Sequence, residues 1–258
     1  MALGITGLAL LFTLTAALYA SVGFGGGSTY IALLALADLD YRALPVIALL
    51  CNIIVVTGGT MRFQLRGLID WPRIWPILLL SVPAAWLGGR LEIAQNQFMI
   101  LLGLSLAAAG ILLLIEPFIR QAGSSASPSR WAENRFFAPA IGTAIGFLSG
   151  MVGIGGGIFL APILLLTRWA GGRRIAATAS IFILVNSISG LAGQLMKSGW
   201  DHSIAALTSY WPLLLAVLVG GQLGSHLASK ALPEIWIRRL TAMLILYVAI
   251  RLFWQQIG

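Results

Sequence analysis

The stretch YASVGFGGGSTYIALLAL, Tyr19 to Leu36, places glycine at positions 23, 25, 26 and 27 between two apolar runs. A second stretch, GMVGIGGGIFLAPILLL at 150–166, repeats the device 130 residues further on. Glycine inside a helix costs roughly 0.5–1 kcal/mol relative to alanine, so paired clusters of this density mark two breaks. The sequence around them decides what the breaks are for.

The chain has 258 residues, of which 59% are hydrophobic and only 9% charged. A soluble domain carries about 25% charged residues, so the composition is that of an integral membrane protein. Runs such as LGITGLALLFTLTAALYA and FMILLGLSLAAAGILLLI approach the roughly 20 apolar residues that cross a bilayer as a helix. They show no ten-residue alternation, which selects helices over a β-barrel. The net charge of +8 reads as cytoplasmic-loop bias rather than nucleic-acid binding. A single cysteine, Cys51, excludes an intrachain disulfide. ALYAS at 17–21 mimics a signal-peptidase site but follows no basic segment, so it is kept in the mature chain.

Apolar runs lie near 3–22, 28–37, 43–60, 74–89, 98–115, 137–151, 157–167, 175–196, 204–229 and 236–254. If the chain turns back at each glycine cluster, these are ten segments. One side then receives 12 basic residues and the other only Arg42, Arg90, Lys197 and Arg251. If the chain passes straight through, the count is 8 against 8. The positive-inside rule expects asymmetry, so the reading is a turn at both clusters, with the crowded side cytoplasmic and both termini outside.

The segments also repeat. VGFGGG (22–27) matches VGIGGG (152–157), Asn52 in LLCNII matches Asn186 in ILVNSI, and WP at 75–76 matches WP at 211–212. WLGGRL (86–91) matches QLGSHL (222–227), and the offset drifts only from 130 to 136. The expected fold is an all-α polytopic membrane protein of two repeats, 1–117 and 136–258, joined by a cytoplasmic linker at 118–135. Five segments per copy is an odd number, so the copies are inverted, as in many secondary transporters.

Three of the four arms beside the clusters are short: residues 28–37 would make a helix of about 15 Å, half of the roughly 30 Å hydrocarbon core, 157–167 is similar and 139–150 slightly longer, while the first arm, 3–22, is long enough to span fully. Each pair therefore reads as a re-entrant helical hairpin with its glycine tip near mid-membrane. A helix starting at such a tip has free N–H groups and the positive end of its dipole, which is a site for anions. Gly26, Gly27, Ser28 and Thr29 supply one set of donors, and Gly156, Gly157, Ile158 and Phe159 the other. The competing reading, that the glycines only allow close helix packing, is the weaker one because GxGGG recurs in matching positions. No strand surrounds either cluster, so a nucleotide-binding loop is excluded.

Polar residues inside the segments complete the candidate substrate site: Ser21, Gly25, Gly26, Gly27, Ser28, Thr29, Asn52, Ser149, Gly155, Gly156, Gly157 and Asn186. Thr57, Thr178, Ser180 and Gln194 are weaker candidates. His226 is the one embedded group that could carry a coupled proton. Asp38, Asp40, Glu92 and Glu116 all sit at segment ends, so carboxylate proton relays lack candidates. No metal or cofactor is expected, and a homodimer is left open. Tryptophans beside segment ends (Trp71, Trp169, Trp200, Trp236) read as interface anchors.

The duplicated halves, GFGGGSTY and GIGGGIFLAPILL, and the asparagine-bearing segments that follow make the chain resemble the sulfite exporter TauE/SafE family over nearly its whole length. That resemblance implies a bacterial or archaeal inner-membrane protein. It also implies export of sulfite or of organosulfonates such as sulfoacetate. The expectation is a transporter of small anions working by alternating access, and not an enzyme. Two rivals are kept: a non-transporting membrane scaffold, and an intramembrane hydrolase using Ser149.

Overall fold

The computed structural model describes residues 4–22, 25–122, 136–198, 200–227 and 234–257. Among these residues it has ten helices and no strand. They are α1 (Ile5–Val22), α2 (Gly27–Leu36), α3 (Ala43–Leu65), α4 (Trp71–Arg90) and α5 (Gln95–Ala122). The second five are α6 (Phe137–Val152), α7 (Gly157–Leu166), α8 (Gly172–Ser198), α9 (Trp200–Leu227) and α10 (Glu234–Ile257). Local chemistry sets several boundaries. Pro72 sits in the first turn of α4, where its missing N–H costs nothing. Pro212 lies inside α9, and the backbone kinks two residues before it at Tyr210 (φ −116°, ψ 17°).

The helices differ from the expected runs in a few places. α5 continues to Ala122, so it enters the segment read as a linker, whose remainder (123–135) lies outside the described residues. Glu116 consequently falls within a helix rather than at its end. Helix α6 has 16 residues, longer than the short arm expected there. α2 and α7 have 10 residues each and keep the half-membrane length.

The ends of α2 and α7 are built alike. Leu39 N–H donates to Leu34 O (3.4 Å) and Trp169 N–H to Leu164 O (3.0 Å), each five residues back. This is the Schellman closure, which needs a left-handed residue just past the helix. Glycine usually fills that position, but here Asp38 (φ 55°) and Arg168 (φ 53°) do. They lie 130 residues apart, the offset of the glycine clusters.

The packing of helices carries the same regularity. α1 lies along α9 and α4 along α6; α3 packs on α8, and α5 on α10. α4 also meets α8, as α3 meets α9, and α7 meets α5 as α2 meets α10. Exchanging each of the first five helices with its counterpart in the second five returns these same pairs. Close approach is made by glycines. A Cβ at Gly150 or Gly88 would run into the carbonyl oxygens of Ala85 and Phe147 across the α4–α6 crossing. One at Gly220 or Gly224 would strike those of Thr13 and Ala17 across α1–α9. Small residues let helices pack this closely where the surroundings offer no hydrophobic drive to association.

Charged groups sort to the two ends of the bundle. At one end Arg174 and Arg73 both approach Asp70 (4.0 Å each), and Arg73 donates to Trp169 O (3.4 Å). At the other, Arg42, Glu92 and Lys197 line one cavity, and Arg251 reaches Asp38 (3.6 Å) and Leu36 O (3.1 Å). A chain passing straight through the clusters would put Arg73 and Arg174 at opposite ends, and likewise Arg42 and Lys197. The second cluster is therefore a turn.

Among the described residues, four helical stretches are long and apolar enough to cross a membrane: Ala43–Leu65, Gln95–Ile115, Gly172–Lys197 and Leu207–Gly224. The outer surface is apolar as well, with Leu14, Leu79, Leu104, Leu218, Tyr247 and Ile250 all exposed. A soluble protein does not present so much apolar surface. The chain is a multi-pass membrane protein.

Candidate functional site

The two glycine tips meet in the middle of the bundle. Asn52, fully buried near the midpoint of the 23-residue α3, donates from Nδ2 to Ile154 O of the second tip (3.2 Å). Its Oδ1 is 2.8 Å from where a Cβ on Gly25 of the first tip would stand. A Cβ on Gly27 would collide with both Asn52 Nδ2 and Ile154 O, and one on Gly155 would also meet Asn52. Bare backbone at Gly25, Gly27 and Gly155 is thus what admits the amide between the tips.

The conformation of the second tip needs glycine for a further reason. Gly153 (φ 90°), Gly155 (φ 85°) and Gly156 (φ 77°) are all left-handed, a region costly to residues with a Cβ. Gly26 of the first tip is not (φ −91°), so the two tips are not conformationally equivalent.

Helix starts face this junction without caps. No side chain bonds the N-terminus of α2 or α7. Tyr30 N–H donates to Gly26 O (2.8 Å), and Phe159 and Leu160 N–H to Gly156 O (3.1 Å each). Phe159, expected as a donor to substrate, is therefore occupied. No hydrogen bond is described for the N–H groups of Gly27, Ser28, Thr29, Gly157 and Ile158.

Side-chain polar atoms around the tips are short of partners too. Asn52 Oδ1, Ser149 Oγ, Ser187 Oγ and Tyr30 Oη are buried there with no hydrogen bond, as are Asn186 Oδ1, beside Gly146, and Gln194 Oε1 further along the bundle. Ser187 Oγ stands 3.3 Å from a notional Gly155 Cβ, and Ser149 Cβ stands 3.3 Å from that of Gly156. The Tyr30 ring folds back over Gly26, within 3.0 Å of the position its Cβ would take. Leaving a buried polar atom unsatisfied costs about 1–3 kcal/mol, so a cluster of them at one place is a feature in need of a ligand or water.

Other expected residues are spent elsewhere. Ser21 Oγ donates to Leu18 O of its own helix (2.6 Å). Thr29 Oγ1 bonds the Tyr19 hydroxyl (3.0 Å). Asn186 donates to Ser81 Oγ (3.1 Å) and Phe182 O (2.8 Å), tying α8 to α4; the repeat equivalent of Ile154 is Phe24, outside the described residues. Ser180 pairs with Thr60 across α3 and α8 (2.8 Å), while Gln194 donates to Gly150 O (2.8 Å) and Met151 O (3.2 Å). The side chain of His226 lies outside the described residues.

Sequence reasoning missed Ser187 and Tyr30. Ser187 has Ile53, not a polar residue, as its repeat counterpart. Tyr30 lies one helical turn past Gly26, and that spacing was the available signal. Every buried polar residue among those described is neutral. The junction offers N–H dipoles, hydroxyls and amides, and among the described residues Ser149 has no buried histidine or carboxylate beside it to act as a base. Gly26 to Tyr30 and Ser149 to Gly157 are all buried, and Gly25 is half-buried.

The family profile described as sulfite exporter TauE/SafE matches residues 8–252. The chain is 33% identical over 249 residues to the probable membrane transporter protein y4hK of Sinorhizobium fredii, covering 96% of this chain and 98% of that one. It is 24% identical over 239 residues to the probable membrane transporter protein YunE of Bacillus subtilis, with 81% and 83% covered. A third relative, the probable membrane transporter protein MJ0441 of Methanocaldococcus jannaschii, is 32% identical over 97 residues, 36% of each chain. No solved structure matches. The profile covers both glycine tips and reaches into all ten helices, and on that match and the first of these relatives this chain is a membrane transporter belonging to the sulfite exporter TauE/SafE family.

Proposed function

We propose that the transporter exports small sulfur oxyanions, sulfite or an organosulfonate such as sulfoacetate, across the cytoplasmic membrane by alternating access between its two halves. The observation that carries this reading is the junction itself. Two uncapped helix starts and several unpartnered polar atoms converge at mid-bundle, with no cation and no carboxylate among the described residues there. Helix starts present about half a positive charge each, enough to attract an anion and not so much as to hold it. The absence of a buried carboxylate among the described residues favours uniport driven by the membrane potential, worth about 2.3 kcal/mol per charge per 100 mV. The crowding of arginine near Arg66, Arg73 and Arg174 supports that end as cytoplasmic.

The test is efflux from proteoliposomes loaded with sulfite, sulfoacetate, thiosulfate or sulfate, with and without an imposed potential. Flux of one anion that rises with the potential, and is lost in Asn52→Asp but kept in Thr60→Val, is the expected result. No flux of any of the four from folded wild-type protein would sink the reading and favour a scaffold.

A further inference from the structure

A cavity of about 400 Å³ opens at the Arg42 end of the bundle, lined by Tyr41, Arg42, Pro45, Glu92, Phe98 and Lys197 among others. Its volume is that of a small-molecule site. It gathers the loop before α3, the loop before α5 and the last turn of α8, and so draws on both halves of the chain.

Its chemistry is cationic and prearranged. Arg42 Nε donates to the Tyr41 hydroxyl (3.2 Å), and the guanidinium lies 5.6 Å from the Tyr41 ring centre. That contact holds the head group and leaves its two terminal nitrogens, for which no partner is described. Lys197 is within electrostatic reach of both Arg42 and Glu92, yet no described ion pair joins Glu92 to either cation. Two cations and one carboxylate line the cavity, and a second carboxylate, Asp40, accepts from the Arg42 backbone N–H (3.0 Å) and acts on Arg42 from beside it. Arginine presents a planar fork suited to oxyanions, and lysine a compact charge beside it. The floor of the cavity touches the candidate site. Pro45 lines it, and a Cβ on Gly153, at the start of the second tip, would run into Pro45.

We infer that this cavity is a second anion site, a vestibule in which Arg42 and Lys197 hold a small sulfonate or sulfate-like oxyanion directly above the second glycine tip. Glu92 opposes the bound anion and keeps its dwell short. The vestibule's place on an export route rests on the transporter reading above; its ability to bind does not.

The experiment uses the chain's two lysines, Lys197 and Lys230. Purified full-length protein is acetylated at constant ionic strength while sulfate or methanesulfonate is titrated, and both lysines are followed by mass spectrometry. Saturable protection of Lys197, with Lys230 unchanged, is expected. A charged hydrogen bond is worth about 1.5–3 kcal/mol, so Arg42→Gln should raise the half-protecting concentration roughly tenfold or more. Glu92→Gln should lower it, a sign that a merely structural role would not give. Arg90→Gln, which removes a cation at the same end that stacks on Trp86 (5.1 Å) outside the cavity lining, should leave it unchanged. Equal protection of both lysines, no protection, or an Arg90→Gln effect as large as that of Arg42→Gln would overturn the proposal. Wild-type efflux, measured separately, tells a failed vestibule from a failed transporter reading: flux with no Lys197 protection removes only the vestibule.

Discussion

An amide in the middle of a membrane bundle must find its partners inside the protein, because hydrocarbon supplies none. Asn52 uses its donor on Ile154 O and leaves its acceptor open between the two tips. Asn52→Leu should therefore lower the thermal midpoint in detergent by the loss of one buried bond and the exposure of an unsatisfied carbonyl, about 1–3 kcal/mol. Asn52→Asp keeps the shape and should abolish anion flux by placing a negative charge beside the substrate. Two glycine-to-alanine changes make a second test at this scale. At Gly27 the new methyl meets a backbone oxygen, whereas at Gly58 it meets nothing within 4 Å. Gly27→Ala should cost about 1–3 kcal/mol from overpacking, and Gly58→Ala should be neutral or stabilise by up to about 1 kcal/mol, both read by thermal unfolding. Asn52 and the tip glycines were legible in the sequence because duplication printed them twice. Ser187 and Tyr30 were not, since neither has a polar counterpart, and only the fold back of the chain brings them to the tips.

At the scale of elements, the short helices α2 and α7 and the breaks before them follow from composition and glycine placement alone. What holds the elements against each other does not. Gly142, Gly146 and Gly150 form one stripe of α6, where added Cβ atoms would meet Ile77, Ser81 and Ala85 of α4. Gly220 and Gly224 serve the α1–α9 crossing in the same way. The repeated GxGGG marks the tip glycines, but nothing in the sequence marks Gly142, Gly146 or Gly150 as crossing residues, and at Gly27 and Gly155 one residue serves both ends. Gly150→Val should separate α4 from α6 and lower the thermal midpoint far more than a valine at Gly58. The measurement is paired melting of the two variants in the same detergent, and equal shifts would contradict the close crossing.

For the whole molecule, the testable quantity is sidedness. In a Cys51→Ser background, Arg42→Cys should react with an impermeant thiol reagent on intact cells, and Gly171→Cys only after the membrane is opened. Gly171 is suited to this because a side chain there meets nothing within 4 Å. Equal reactivity of the two from outside would contradict the sorting of charge. The sequence by itself determined that the chain is helical, spans the membrane many times, repeats itself and breaks at two glycine clusters. All of these are encoded locally, in runs, spacings and a fixed offset of about 130 residues. Charge counting favoured a turn at each cluster, and the pairing of Arg174 with Asp70 and the common cavity of Arg42 and Lys197 decided it for the second. Only the tertiary structure could bring Asn52 of one half to Ile154 of the other, set Ser187 and Tyr30 beside them, and place a cationic cavity above the second tip. The physical reason is that hydrophobic periodicity specifies which segments enter the membrane and is silent on which neighbours they choose. That choice rests on small-residue packing and a few buried hydrogen bonds between residues more than a hundred positions apart.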